Sequence, residues 1–122
     1  MILRVDGIPP SLNEFMRMDR YARNRAVKEW KETVALSALE QGLRNGIHGR
    51  ASVTLEYHFR NKNRRDPDNY AGKFLLDGLT AAGLIEDDDF VHVDLHLRKG
   101  ATDPLTPHVV IYIEPATEEG IA

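Results

Sequence analysis

Two stretches of this chain alternate apolar and polar side chains with a period of two, and that alternation limits the fold more than any other feature. Val53, Leu55, Tyr57 and Phe59 fall on one side of an extended backbone, with Ser52, Thr54, Glu56 and His58 on the other. Val91, Val93, Leu95 and Leu97 alternate in the same way with His92, Asp94, His96 and Arg98. Such strands need a sheet with one face buried. The covering layer is visible between them. Val27, Trp30, Val34 and Ala38 keep a helical spacing within about 23–43, ended by Asn45-Gly46, and Leu75, Leu76, Leu79 and Ala82 form a second apolar stripe before Gly83, a good helix-terminating residue. Leu3 and Val5 mark a short first strand. Residues 7–13, with adjacent Pro9 and Pro10, read as a loop. Val109 to Ile113 is more evenly apolar, which suits an interior strand. The order β-α-β-α-β-β predicts an α+β domain: a single mixed β-sheet with two main helices packed on one face. The domain is expected over residues 1–114, with 115–122 as a flexible acidic tail.

The 122 residues suit one domain and include no cysteine. That excludes a disulfide scaffold, thiolate metal ligation and thiol catalysis, and it fits a reducing compartment. No apolar run approaches the length of a bilayer span, and the N-terminus lacks the pattern of a signal peptide. A soluble protein, with no membrane partner, is the expectation.

Charge is unevenly distributed. The segment 66–89 holds seven acids and one base, and 114–122 holds three acids, although the whole chain is only −3. The remainder is therefore net positive by six charges. Such a body suits a polyanion, but the acidic segment would repel it unless cations sit there.

Asp66 and Asp68 flank Pro67. On an extended backbone both carboxylates would face one side, where they either share a proton or hold a cation between them. Hard oxygen ligands select Mg²⁺, or Mn²⁺ in its place. Asp87, Asp88 and Asp89 follow one helix later, and the chain must return there to start the next strand. Asp66-Pro67-Asp68-Asn69 is also ordinary turn and cap chemistry, and an acid run before a strand is ordinarily solvated. Spacing leaves both readings open. The same holds for Lys73 and Asp77, an i,i+4 pair that reads either as a weak surface contact or as an ammonium beside a bound phosphate.

The ordered set Arg64-Arg65-Asp66-Pro67-Asp68-Asn69, Lys73, Asp77-Gly78-Leu79 and Ala82-Gly83-Leu84-Ile85-Glu86-Asp87-Asp88 resembles the RusA family of Holliday-junction resolvases. Pro9-Pro10-Ser11-Leu12-Asn13 is similar to that family's proline-rich loop. The resemblance spans about residues 8–113. It implies a small, homodimeric, Mg²⁺-dependent endodeoxyribonuclease, often phage- or prophage-encoded, that resolves four-way DNA junctions by paired symmetric cuts in recombination and repair. It further implies a cytoplasmic location in a bacterial or phage-infected cell, and no nucleotide or organic cofactor. By position it gives Asp66, Asp68 and Asp88 as catalytic carboxylates, Lys73 as the catalytic lysine, and Asp87 beside Asp88 in the metal set. Asn13 and Asn69 become supporting residues. The segment between Asn69 and Lys73 is one residue longer than the family pattern: counted from Asp77 the lysine is Lys73, whereas counted from Asp66 that position is Gly72. The additional Asp89 leaves a choice within the acid triplet.

For DNA contact the sequence offers Arg60, Lys62, Arg64 and Arg65 beside the acids, and Arg17, Arg20, Arg23 and Arg25 around the start of the first long helix. His92 and His96, four apart on a strand, are too far apart to share one ion. Two other functions are consistent with the same residues: a non-catalytic DNA-binding protein on this fold, and a structure-selective nuclease acting on flaps, forks or RNA.

Overall fold

The structure, a computed structural model, describes residues 1–116. It is α+β, with one mixed four-stranded sheet in the order β1-β4-β2-β3. The strands are β1 (Ile2–Asp6), β2 (Ala51–His58), β3 (Val93–Lys99) and β4 (His108–Pro115). β4 lies antiparallel between β1 and β2, and β2 pairs parallel with β3. The evenly apolar β4 is thus interior, as its composition requires.

The register lines the alternating residues up into one face. Leu3 lies opposite Ile111, Val53 opposite Ile113, and Leu55 opposite Ile111. These side chains form a single core with Val34 and Ala38 of α2 (Arg20–Glu40) and Leu75 and Leu79 of α3 (Lys73–Ala81). Gly78 sets the closeness of the two helices: a Cβ there would stand 2.7 Å from Val34 Cβ. Trp30 packs against the rim of this core. On the other face, Glu56 accepts from Arg98 Nε at 2.7 Å and meets His58 Nε2 at 2.7 Å. Partial burial pushes the Glu56 carboxyl up, but His58 and Arg98 together hold it below the ordinary carboxylate value.

Four local expectations change. The proline loop is shorter than the sequence pattern indicates, because Ser11 and Glu14 form a reciprocal capping box that starts α1 (Leu12–Arg17). The long helix starts at Arg20 and ends at Glu40, because Asp19 caps Ala22 N–H and Gly42 adopts a positive φ. The helix expected from Asp68 or Asn69 onward is broken in two: a 3₁₀ turn over Pro67–Tyr70, then α3. Gly72 is the hinge. Its φ is +85°, and a Cβ would fall 2.3 Å from Leu55 Cδ1, so no other residue fits without displacing the core. Finally, Val91 lies outside β3, which begins at Val93. Pro115 closes β4, and Ala116 N–H donates to Arg50 O at 3.0 Å. The rest of the expected tail, 117–122, lies outside the described residues. Among the described residues no helix is long and apolar enough to cross a membrane.

Candidate active site

Lys73, Asp77 and the acid triplet meet around the first turn of α3. Lys73 opens the helix and Asp77 follows one turn later, with Nζ 4.0 Å from Asp77 Oδ2. The loop after α3 then brings Asp88 back against Asp77. Contact with the Asp77 carboxyl, followed by partial desolvation and the Asp87 carboxyl, pushes Asp88 above its ordinary value of 3.8. Two ionised carboxylates in contact repel, which favours a shared proton or a cation between them.

The D-P-D-N segment borders this cluster but does not follow the extended geometry that the spacing allows. Pro67 at the first position of the 3₁₀ turn sets the helical φ. Asp68 therefore sits in the turn, and Asp66 precedes it in extended conformation. The two carboxylates consequently line different concavities. Asp68 lines a narrow cleft of about 70 Å³ with Lys73, Pro9, Pro10, Leu12 and Phe15. Asp66, paired with Arg64 Nη2 at 3.3 Å, borders a larger pocket formed with the basic loop 60–65.

The proline-rich loop reaches the site through a specific contact. Asn13 N–H donates to Asn69 Oδ1 at 3.0 Å, tying the first turn of α1 to the 3₁₀ turn. Phe15 packs edge-on against Phe74 of α3, with ring centroids 5.3 Å apart. Asn13 and Asn69 thus meet, although their sequence positions are 56 residues apart.

Asp89 has a different role from its neighbours. Its Oδ1 accepts from Val91 N–H at 3.1 Å and His92 N–H at 2.9 Å, and lies 2.6 Å from His92 Nδ1. The hydrogen bond from His92 leads the lowering of the Asp89 carboxyl, and the bond to Asp89 leads the raising of the His92 imidazole. This is the turn into β3. Asp88, not Asp89, is the member of the triplet that faces Asp77.

Asp87, Asp89 and His92 offer ligating atoms within 4.8 Å of one another, the group of three that does so among the described residues. Asp66, Asp68 and Asp88 are not gathered to that distance. Sequence reasoning missed His92 in this cluster, because strand spacing measured it against His96, whereas the Asp89-capped turn lifts it out of the strand. It also gave Asp77 no metal-binding or catalytic role, using it only within the motif and as the partner of Lys73. The signal for Asp77 was present: four residues after Lys73, it shares that lysine's helix face.

The basic residues divide by role. Arg65 donates to Asn61 O, Asn63 O and Asn61 Oδ1, and its guanidinium lies 4.3 Å above the Phe59 ring. Arg23 donates to Phe15 O and Met16 O, pinning α1 to α2. Arg25 lies over Tyr21, 5.8 Å from its centroid. Arg17, Arg20, Arg60 and Lys62 are exposed.

A scan of protein-family models and a search of curated proteins both find no match to this chain.

Proposed function

We propose that the chain is a divalent-metal-dependent endodeoxyribonuclease of the RusA kind. Its substrate would be branched DNA, above all the four-way junction, cut by a homodimer during recombination and repair in the cytoplasm of a bacterial or phage-infected cell. The observation that carries the reading is the meeting of the Asp88 and Asp77 carboxyls beside Lys73. A structure that brings two like charges together next to an ammonium suits a site for a cation and a phosphate better than it suits a solvated surface.

The donor set fits Mg²⁺ or Mn²⁺. The Asp77–Asp88 pair offers only carboxylate oxygens, and a cation between them would relieve the contact that pushes Asp88 up. Asp88 and Asp77 would hold the ion, with Asp87 beside Asp88; Asp66 and Asp68, which the resemblance adds, are not gathered to ligating distance of that pair. A bound divalent ion supplies Lewis acidity and acidifies a coordinated water. Lys73, exposed and lining the same cleft as Asp68, places positive charge where a phosphodiester gains charge in its transition state. Asn69 and Asn13 fix the turn that carries Asp68. Matched cuts across a junction need two such sites related by a twofold axis, which a C₂ homodimer provides.

The deciding experiment is cleavage of a synthetic four-way junction in Mg²⁺ beside linear duplex, fork, flap and RNA controls. Wild-type protein should cut the junction in preference. Asp68→Asn should abolish cutting while binding persists or tightens, because one negative charge is removed. Near-normal cutting by that variant would remove Asp68 from the mechanism. Cutting confined to forks, flaps or RNA would replace the junction as substrate, and binding without cutting in any form would make the protein a DNA-binding module.

A further inference from the structure

The larger pocket, about 330 Å³, opens at the carboxyl ends of β2 and β3. These strands are the parallel pair of the sheet, and the carboxyl ends of parallel strands are where open sheets place ligand crevices. The volume is at the lower end of the range for small-molecule sites.

Its wall is apolar and already shaped. Phe59 stacks on Tyr57, Tyr70 stands edge-on to both, and the Tyr57 hydroxyl donates to Tyr70 O at 2.7 Å. Pro67 and Leu97 complete it, and Leu97 remains 37% exposed. The rim is cationic, with Lys62, Arg64 and Lys99. Arg65 holds the rim loop through three hydrogen bonds, so the pocket does not need to form around its ligand. An apolar slot under a basic rim selects a flat, weakly polar ring bearing an anion. Its size admits a nucleobase.

We propose that this pocket receives one unstacked nucleotide of a DNA strand, its base against Leu97, Pro67 and Tyr70 and its phosphate at Lys62, Arg64 and Lys99. Asp66, one of the acids that the family resemblance assigns to catalysis, lines the same pocket. Extruding a base costs a few kcal/mol in intact duplex and least where pairing is already disrupted. The pocket therefore favours branch points, and the inference rests on the DNA-cleaving reading above while adding how a branch is sensed.

The test is a ¹H–¹⁵N NMR titration of the protein in EDTA with a short oligothymidylate, the same oligonucleotide carrying one abasic residue at its centre, and inorganic phosphate. Shifts should concentrate on 59–70 and 97–99, with the oligothymidylate at least fivefold tighter than the abasic strand. Leu97→Trp fills the slot and should weaken oligothymidylate at least tenfold. Lys62→Glu with Lys99→Glu, surface changes that leave the core intact, should do the same if Leu97→Trp fails to fold. Equal affinity for the thymine and abasic strands, or shifts matched by phosphate alone, would overturn the pocket. Protein that cuts junctions yet shows that equality loses only the pocket. Protein that discriminates the thymine strand here yet cuts nothing keeps the pocket and loses the nuclease reading.

Discussion

Asp77→Asn separates a metal-binding carboxylate pair from an incidental one. Two unit charges about 4 Å apart repel by ~1 kcal/mol at the dielectric of water and by ~4 kcal/mol at an effective constant of 20. Asp88 is exposed, so solvent screening puts the relief at the lower figure. Against it stands the loss of the Lys73–Asp77 contact, an i,i+4 pair of ~0.3–0.5 kcal/mol. The net gain in metal-free buffer is ~0.5 kcal/mol at pH 7, or roughly 2 °C in Tm for a chain of this size.

The gain has a pH signature. Asp88 is raised in the folded state, so its penalty is absent below its ordinary value of 3.8 and complete above the raised one. The Tm difference between variant and wild type should therefore vanish in acid and appear on the way to neutrality. Divalent ion reverses the order. At Mg²⁺ tenfold above its dissociation constant, wild type should gain ~1.4 kcal/mol, and the variant should lose most of that gain. Differential scanning fluorimetry from pH 3 to 8, with EDTA or Mg²⁺, reads both effects. A variant less stable than wild type at pH 7 in EDTA, or one that keeps the full Mg²⁺ increment, refutes the reasoning.

Gly78→Ala should lower Tm by several degrees, because overpacking against Val34 costs ~1–3 kcal/mol while helix propensity returns only ~1 kcal/mol, and Val34→Ala should rescue it. His92→Gln should matter most in mildly acid solution. The raised imidazole stabilises the turn below its ordinary value of 6.5 and loses that effect as pH rises through the folded pKa, while the lowered Asp89 contributes above 3.8 and fails as pH falls. Thermal melts at pH 5.5 and 8.5 should show the larger deficit at 5.5. Arg60→Ala and Arg17→Ala should leave folding stability within ~0.5 kcal/mol of wild type. Each should also flatten the slope of log K against log salt by ~0.9 for duplex DNA. Arg65→Ala should instead destabilise the loop, and a Tm equal to wild type would contradict the clamp assigned to it.

The sheet was legible because alternation is a direct record of burial: Leu3, Val53, Leu55 and Ile111 alternate in sequence and share one face in the register. The helix boundaries were less so, since they depend on caps and left-handed residues. Ser11 and Glu14 overrode the adjacent prolines, and Gly72 split what periodicity joins into one helix. For the site, spacing identified the Lys73–Asp77 face and the acid triplet, but not the Asp77–Asp88 contact, which depends on the path of the loop after α3. The separation of Asp66 from Asp68 into different concavities follows from a 3₁₀ turn that a four-residue motif does not distinguish from an extended segment.

The charge pattern shows why composition overstates a binding surface. Arg23 and Arg65 come from clusters that look alike in sequence, yet each satisfies backbone carbonyls and lies over a phenyl ring. Arginine can do this because its planar fork bonds several acceptors while its face stacks, and in that role it orders loops around a site without adding to phosphate contact. Arg60 and Lys62, on the same loop as Arg65, are left exposed by that clamp. Under the proposed function, the loop that Arg65 holds has a further consequence. Cations held on an ordered rim next to Asp66 can orient a phosphate, whereas the same cations on a mobile loop would pay the ordering cost on every encounter. Under the proposed DNA-cleaving function, Arg65→Ala should therefore weaken oligonucleotide binding as well as stability.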